Sequence, residues 1–344
     1  MIDVSPIDTS EEGEAWDAFL REHRGGLIYH SIRYRELLLE HLGCEPEYLV
    51  ARESGEIRGV LPLMWAADSG GRVCNSLPFY GSHGSPVADG SDAERALLDA
   101  YNERVTDTGT LAGTMVANPF LGHDPPPPVH DITEERISQA TPLPDSADPE
   151  ALMRLFAKNA RRDVRRADRR GVNVGLDHDS LGDLCRIHQE NLLAAGGLPK
   201  SNEFFEGLSR HLHRAEDFDL WVARMENSMV AGLLVLYFGR VAEYFTPAVH
   251  PDHRRDEPMS LILFHAMLEA ARRGFTTWNW GGTQMSQEGV YRFKRKWGAR
   301  ESRYRYFIRI NDESLLDSSA EELQERFPHF FVVPFSALRS TTSS

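Results

Sequence analysis

The sequence predicts an α/β protein of the α+β kind, with two domains in tandem, each a mixed, largely antiparallel, twisted sheet flanked by helices. Three observations carry this. The chain has 344 residues, enough for two domains that each bury a core. Residues 241–298 read as an aromatic strand (241–246), a turn (250–258), an apolar helix (259–273), a short strand ending at Gly281 and Gly282, and a compact basic run (289–298). Strand, helix and strand make a crossover on one sheet, and such crossovers are right-handed. Finally, the run TPLPDSADP at 141–149 punctuates the chain and places a domain boundary near residue 145.

The composition suits a soluble globular protein, with 41% hydrophobic and 26% charged residues. No apolar run approaches the roughly 18 residues a membrane span needs, though peripheral contact with a membrane stays open. The first residues lack the basic region and apolar core of a signal peptide, so a cytoplasmic location is expected. Cys44, Cys74 and Cys185 lie far apart with no metal-ligand spacing, which fits buried thiols in a reducing compartment and no metal site. A net charge of −14 argues against indiscriminate nucleic-acid binding. Lysine is scarce: Lys158, Lys200, Lys294 and Lys296 are the only four among 38 basic residues. Arginine in place of lysine fits either a GC-rich genome or a salt-adapted host. Phosphate-loop, HExxH, dinucleotide and nucleophile-elbow motifs are missing.

In chain order, 2–7 reads as a strand and 11–22 as a helix, with Trp16, Phe19 and Leu20 on its apolar face and Ser10 as its expected N-cap. A helix follows at 31–42. Strands at 47–52 and 56–65 are joined by Ser54 and Gly55, a hairpin signal. The run LPFYGSHGSP at 77–86 is either a surface turn or a substrate loop, since small residues let backbone N–H groups approach a ligand. Tyr80 and Ser82 are its candidate acceptor contacts, and His83 reads as structural. A helix at 92–105, a strand at 112–117, a rigid proline connector at 124–129 and an edge strand at 131–138 complete the first domain.

The second domain opens with one long helix over 148–170. Leu152, Leu155, Phe156, Val164 and Ala167 form its apolar stripe. Between 158 and 170 it carries seven cations against Asp163 and Asp168, a net of +5 inside an acidic chain. That is either a solvated face or a polyanion site, with Arg161, Arg162, Arg165 and Arg166 as its candidate contacts. A strand at 172–176, helices at 183–195 and 202–213, and a meander of strands at 220–225, 229–238 and 241–246 lead into the crossover. Ser201 is the expected cap of the second of these helices. In the crossover, Pro258 suits the first helical turn, and Arg272, Arg273 and Gly274 suit its end. A strand at 303–310, a helix at 318–326 and an apolar tail at 327–335 close the chain, with 338–344 expected to fray.

The element order of 241–298 resembles the second half of a GNAT-type acyltransferase domain, and the run YRFKRKWGA at 291–299 resembles the FemA/FemB/FemX branch of that superfamily. The likeness covers roughly 157–310, with a weaker match before it. It implies two GNAT-like domains, 1–145 and 146–312, with a tail at 313–344 that packs back on the first. It implies transfer of an aminoacyl group from aminoacyl-tRNA to an amine, with tRNA as donor, a small-molecule or peptide amine as acceptor and no cofactor beyond the co-substrate. The lysine of the family's FK motif corresponds to Lys294, which lies near the donor end beside Arg292, Phe293 and Lys296; a surface lysine is the plainer alternative. The family's acceptor-side tyrosine corresponds to Tyr244, which is otherwise a half-buried strand residue.

Departures from the family are informative. Lys200 and Phe204 stand where cell-wall members carry an Arg and a Tyr, so a bidentate fork and a hydroxyl are lost. No lysine stands in the helix at 31–42, where only Arg33 or Arg35 offers a substitute. A UDP-muramyl peptide acceptor is therefore unsupported. The loop at 253–259 also lacks the glycines with which GNAT enzymes cradle the CoA pyrophosphate. It places Asp256 and Glu257 there, and Pro258 removes an N–H. This disfavours acetyl-CoA. Asp252, Asp256 and Glu257 are the candidate general bases. An acyl-CoA-dependent GNAT N-acetyltransferase and a non-catalytic binding module on the same fold remain the alternatives. Neither the transferred group nor the oligomeric state is legible.

Overall fold

In the computed structural model, which describes residues 1–339, Asp8 rather than Ser10 starts the first helix. Its carboxylate accepts from the Ser10 N–H at 2.9 Å. An aspartate is at least as good an N-cap and sits one residue nearer the preceding strand. The first stretch runs β1 (Ile2–Pro6), α1 (Thr9–Glu22), α2 (Ile32–Leu42), β2 (Glu45–Pro46), β3 (Leu49–Glu53), β4 (Glu56–Leu61), β5 (Met64–Asp68), β6 (Gly71–Asn75), β7 (Val87–Ala88), α3 (Ser91–Val105) and β8 (Thr110–Val116). Ser54 and Gly55 both take left-handed backbone, and this joins β3 to β4 as the hairpin signal predicts.

The strand expected over 56–65 is interrupted. Pro62 has no N–H to give a ladder, so β4 ends before it and Met64 starts β5 in a different sheet. β1, β3, β4 and β7 pair antiparallel in that order. β2, β5, β6 and β8 form the other ladder, with β6 and β8 parallel across the crossover helix α3.

β9 (Ile132–Pro142) runs four residues past the expected 138. Then come α4 (Pro149–Leu155), α5 (Lys158–Arg169), β10 (Asn173–Leu176), α6 (Leu181–Ala194), α7 (Asn202–His211), β11 (Phe218–Met225), β12 (Ser228–Phe238), β13 (Val241–Val249), α8 (Pro258–Arg272), β14 (Thr277–Thr283) and α9 (Glu288–Arg295). The single helix expected over 148–170 is two. Phe156 turns extended, buries its ring edge-on against Trp297 at 5.0 Å, and leaves the Ala157 N–H to donate to the Lys296 carbonyl at 2.8 Å. Neither residue is a helix breaker, so the break comes from the tertiary contact and not from propensity.

β15 (Arg300–Ile310) and α10 (Ala320–Arg326) finish the chain, and α10 has a Ser319–Glu322 capping box. By compactness the residues divide into one unit of Met1–Arg136 with those from Arg303 on, and a second of Ile137–Ser302, so the changeover falls inside β9 rather than near 145. In the first unit β15 pairs with β8, and Leu315, Leu323, Phe327, Val332 and Val333 pack on Val73, Leu111 and Ala112. In the second unit β10, β11, β12, β13, β14 and β9 are neighbours in that order, antiparallel except for β13 against β14. Trp278, Trp280, Trp297, Phe156 and the inner face of α8 form its core. No helix among the described residues is long and apolar enough to cross a membrane. Of the tail expected to fray, 340–344 lie outside the described residues.

Candidate functional site

β13 and β14 run parallel for three residue pairs, ending at Glu243 with Asn279. Beyond this, β13 bulges between Tyr244 and Thr246. β14 turns through Gly281, whose φ of 71° suits glycine, and past the turn it keeps only its pairing with β9, in a shifted register. The two strands therefore part at a buried carboxylate and a buried amide. Asn279 Nδ2 donates to Glu243 Oε2 at 2.8 Å, and the Gly281 N–H donates to Asn279 Oδ1 at 2.9 Å.

Lys294 reaches the same bend from α9. Its Nζ donates to the Gly281 and Gly282 carbonyls at 3.1 and 2.9 Å and to Thr283 Oγ1 at 2.8 Å. It is 5% exposed, so the surface-lysine alternative is wrong. No carboxylate among the described residues pairs with it, and burial pushes its pKa down to about 8. At neutral pH it is still an ammonium. Its neutral partners satisfy its donors without cancelling its charge.

The neighbours of Lys294 divide by role. Phe293 lies 6.1 Å from Trp280, which in turn lies 5.0 Å from the half-buried ring of Tyr244. Burial raises the Tyr244 phenol well above its ordinary value, so it stays a neutral hydroxyl. Lys296 Nζ sits 3.3 Å from the buried Asp163 carboxylate, and this ties α9 to α5. Its charge is largely compensated. Arg292 is exposed and pairs with Glu288 at 3.4 Å. On β13 next to Tyr244, the Phe245 ring receives Lys200 Nζ at 4.8 Å and lies 6.1 Å from Phe204. Burial pushes Lys200 to about 8 as well. Phe204 is fully buried on the core-facing side of α7, where its ring meets those of Phe205 and Phe245.

Along α5, Arg162 and Arg165 are exposed together with Lys158 and Arg169, whereas Arg161 and Arg166 are half-buried. Tyr80 and Ser82 belong to the first unit. Tyr80 is buried and its carbonyl accepts from Tyr34 Oη at 2.8 Å; Ser82 is half-buried. The 77–86 run is not a surface turn. A Cβ on Gly84 would stand 1.7 Å from the Ser76 carbonyl oxygen, and His83 is fully buried with its Nδ1 at 3.2 Å from the Ala117 carbonyl.

The turn before α8 carries two carboxylates, each held by neighbouring side chains. Arg170 donates to Asp256 Oδ1, and His253 Nδ1 lies 3.1 Å from Asp256 Oδ2. Burial alone would raise the Asp256 carboxyl, but the Arg170 and His253 contacts outweigh it and hold the pKa below its ordinary value. Glu257 takes left-handed backbone and accepts from Ser260 Oγ at 3.1 Å. Asp252 is exposed. Of the expected bases, two are thus committed to the turn and the third faces solvent. Glu243 was not expected. Its signal was an acid within the otherwise apolar run 241–246.

Residues 154–295 match the family described as the Acetyltransferase (GNAT) domain. The crystal structure of FemX superposes with a TM-score of 0.71 at 18% identity, covering 91% of this chain and 98% of that one. L-PGS from Bacillus licheniformis gives 0.52 at 14%, covering 90% and 94%. A tandem GNAT protein from the clavulanic acid biosynthesis pathway gives 0.50 at 10%, covering 90% and 98%. No curated protein matches the sequence. The chain thus has a GNAT acyltransferase fold of the FemX kind, as its resemblance implied.

Proposed function

We propose that the protein is an N-acyltransferase that moves an aminoacyl group from aminoacyl-tRNA to an amine. The acceptor nitrogen attacks the ester carbonyl, the bond to the ribose oxygen breaks, and the proton lost by nitrogen ends on the released hydroxyl. Attack of an amine on an activated ester needs positioning and stabilisation of the developing oxyanion more than it needs a strong base. In this reading Lys294 supplies the positive charge, Tyr244 orients the acceptor as a neutral phenol, and Glu243 relays the proton from the acceptor nitrogen to the departing ribose oxygen. Arg161, Arg162, Arg165, Arg166, Arg292, Phe293 and Lys296 serve the donor side, and Lys200 the acceptor side.

The observation that carries the choice of donor is the turn before α8. Asp256, pinned by Arg170 and His253, stands with Glu257 and Pro258 where a CoA pyrophosphate would need free N–H groups. To test the reading, the protein is incubated with pooled radiolabelled aminoacyl-tRNAs and a cell extract. An RNA-free, acid-stable labelled product is expected, and its absence with every aminoacyl-tRNA would sink the assignment.

A further inference from the structure

We infer that one face of α5 is a track for the phosphodiester backbone of an RNA strand, formed by Lys158, Arg162, Arg165 and Arg169. The choice of RNA rests on the proposed donor; the track itself rests on geometry. The four cations recur at intervals of four, three and four residues, which places them in one stripe. The stripe spans about 16 Å of axis at roughly 1.5 Å per residue. With Asn159 and Asp168 they line one surface hollow.

The stripe differs from a generic charged face in three ways. Among the described residues, Lys158 and Arg165 have no ion-pair partner, Arg169 donates only to the Arg165 carbonyl, and Arg162 is 70% exposed despite its 3.2 Å contact with Asp163. Its positive charge is therefore offset on its own face only by Asp168. The helix is also held at three places, by Ala157 to the Lys296 carbonyl, Asp163 to Lys296, and Arg170 to Asp256. Little ordering is thus left for binding to require. Finally, the apolar positions Ala160, Val164 and Ala167 are buried in the unit's core. An interfacial membrane helix needs an apolar face free to insert, so a polyphosphate chain fits the stripe better than a lipid surface. Arg161 and Arg166, half-buried beside it, are flanking residues.

The test uses uncharged tRNA, so that no chemistry is needed, with binding followed by fluorescence anisotropy across a potassium chloride series. The variant K158Q/R162Q/R165Q/R169Q is expected to bind at least tenfold more weakly and to flatten the slope of log K against log salt by about 3, at roughly 0.7–0.9 per cation. Asp168→Asn is expected to tighten binding severalfold. Arg186→Gln with Arg210→Gln, exposed elsewhere in the same unit, should leave the slope unchanged. Thermal midpoints confirm that each variant is folded. An unchanged slope in the quadruple variant overturns the inference. So does an equal loss in the control pair, or a loss of binding to phosphatidylglycerol vesicles with tRNA binding intact. If tRNA binds through the stripe and no aminoacyl transfer is found, the enzymatic reading fails and the track stands.

Discussion

Lys294 is the side chain on which the chemistry turns, and its protonation is measurable because the chain has only four lysines. Burial holds it near pH 8, against an ordinary value of 10.5. Activity that needs its charge should therefore fall as the pH climbs through 8, while stability does the opposite. Between 8 and 10.5 the unfolded chain holds more protons than the folded one, so folding strengthens with rising pH across that window. Lys200 adds to the same trend. Titration of 13Cε-labelled lysine should show two of the four resonances with midpoints near 8. A Lys294 midpoint above 10 would contradict the buried, uncompensated ammonium. Lys294→Ala should lower turnover by about a hundredfold, the scale for losing one oxyanion-stabilising group, and unchanged turnover would remove the residue from the mechanism.

At the level of elements, the crossover was readable because its punctuation is local: Pro258 opens α8, and the basic residues and Gly274 close it. The break between α4 and α5 was not. No glycine or proline lies between 150 and 170, and the cause is the Lys296 carbonyl, more than a hundred residues away in sequence. Phe156 is the residue that the break buries, and Phe156→Ala should cost about 3–5 kcal/mol in urea denaturation. A cost under 1 kcal/mol would mean that the break is held by something else. Lys294, Tyr244 and the α5 cations were legible as a motif, a strand aromatic and a charge run. The Glu243–Asn279 contact was hidden, because which face a strand buries depends on its sheet partners. The full burial of Phe204 was hidden for the same kind of reason, as its exposure is set by the packing of α7.

At the scale of the molecule, positive charge is concentrated on the second unit of an acidic chain, and the first unit is completed by residues from the C-terminal end. Ending the chain after Asp312 removes Leu315, Leu323, Phe327, Val332 and Val333 from contact with Val73, Leu111 and Ala112. The shortened protein should aggregate or lose many degrees of thermal midpoint, and a midpoint unchanged by the truncation would deny the tail its structural part. The central claim is that the donor is rich in phosphate but is not CoA. Isothermal titration of the intact protein with acetyl-CoA, and separately with aminoacyl-tRNA, tests it most directly. The account predicts salt-sensitive, saturable binding of aminoacyl-tRNA and no saturable heat from millimolar acetyl-CoA; micromolar binding of acetyl-CoA would contradict it.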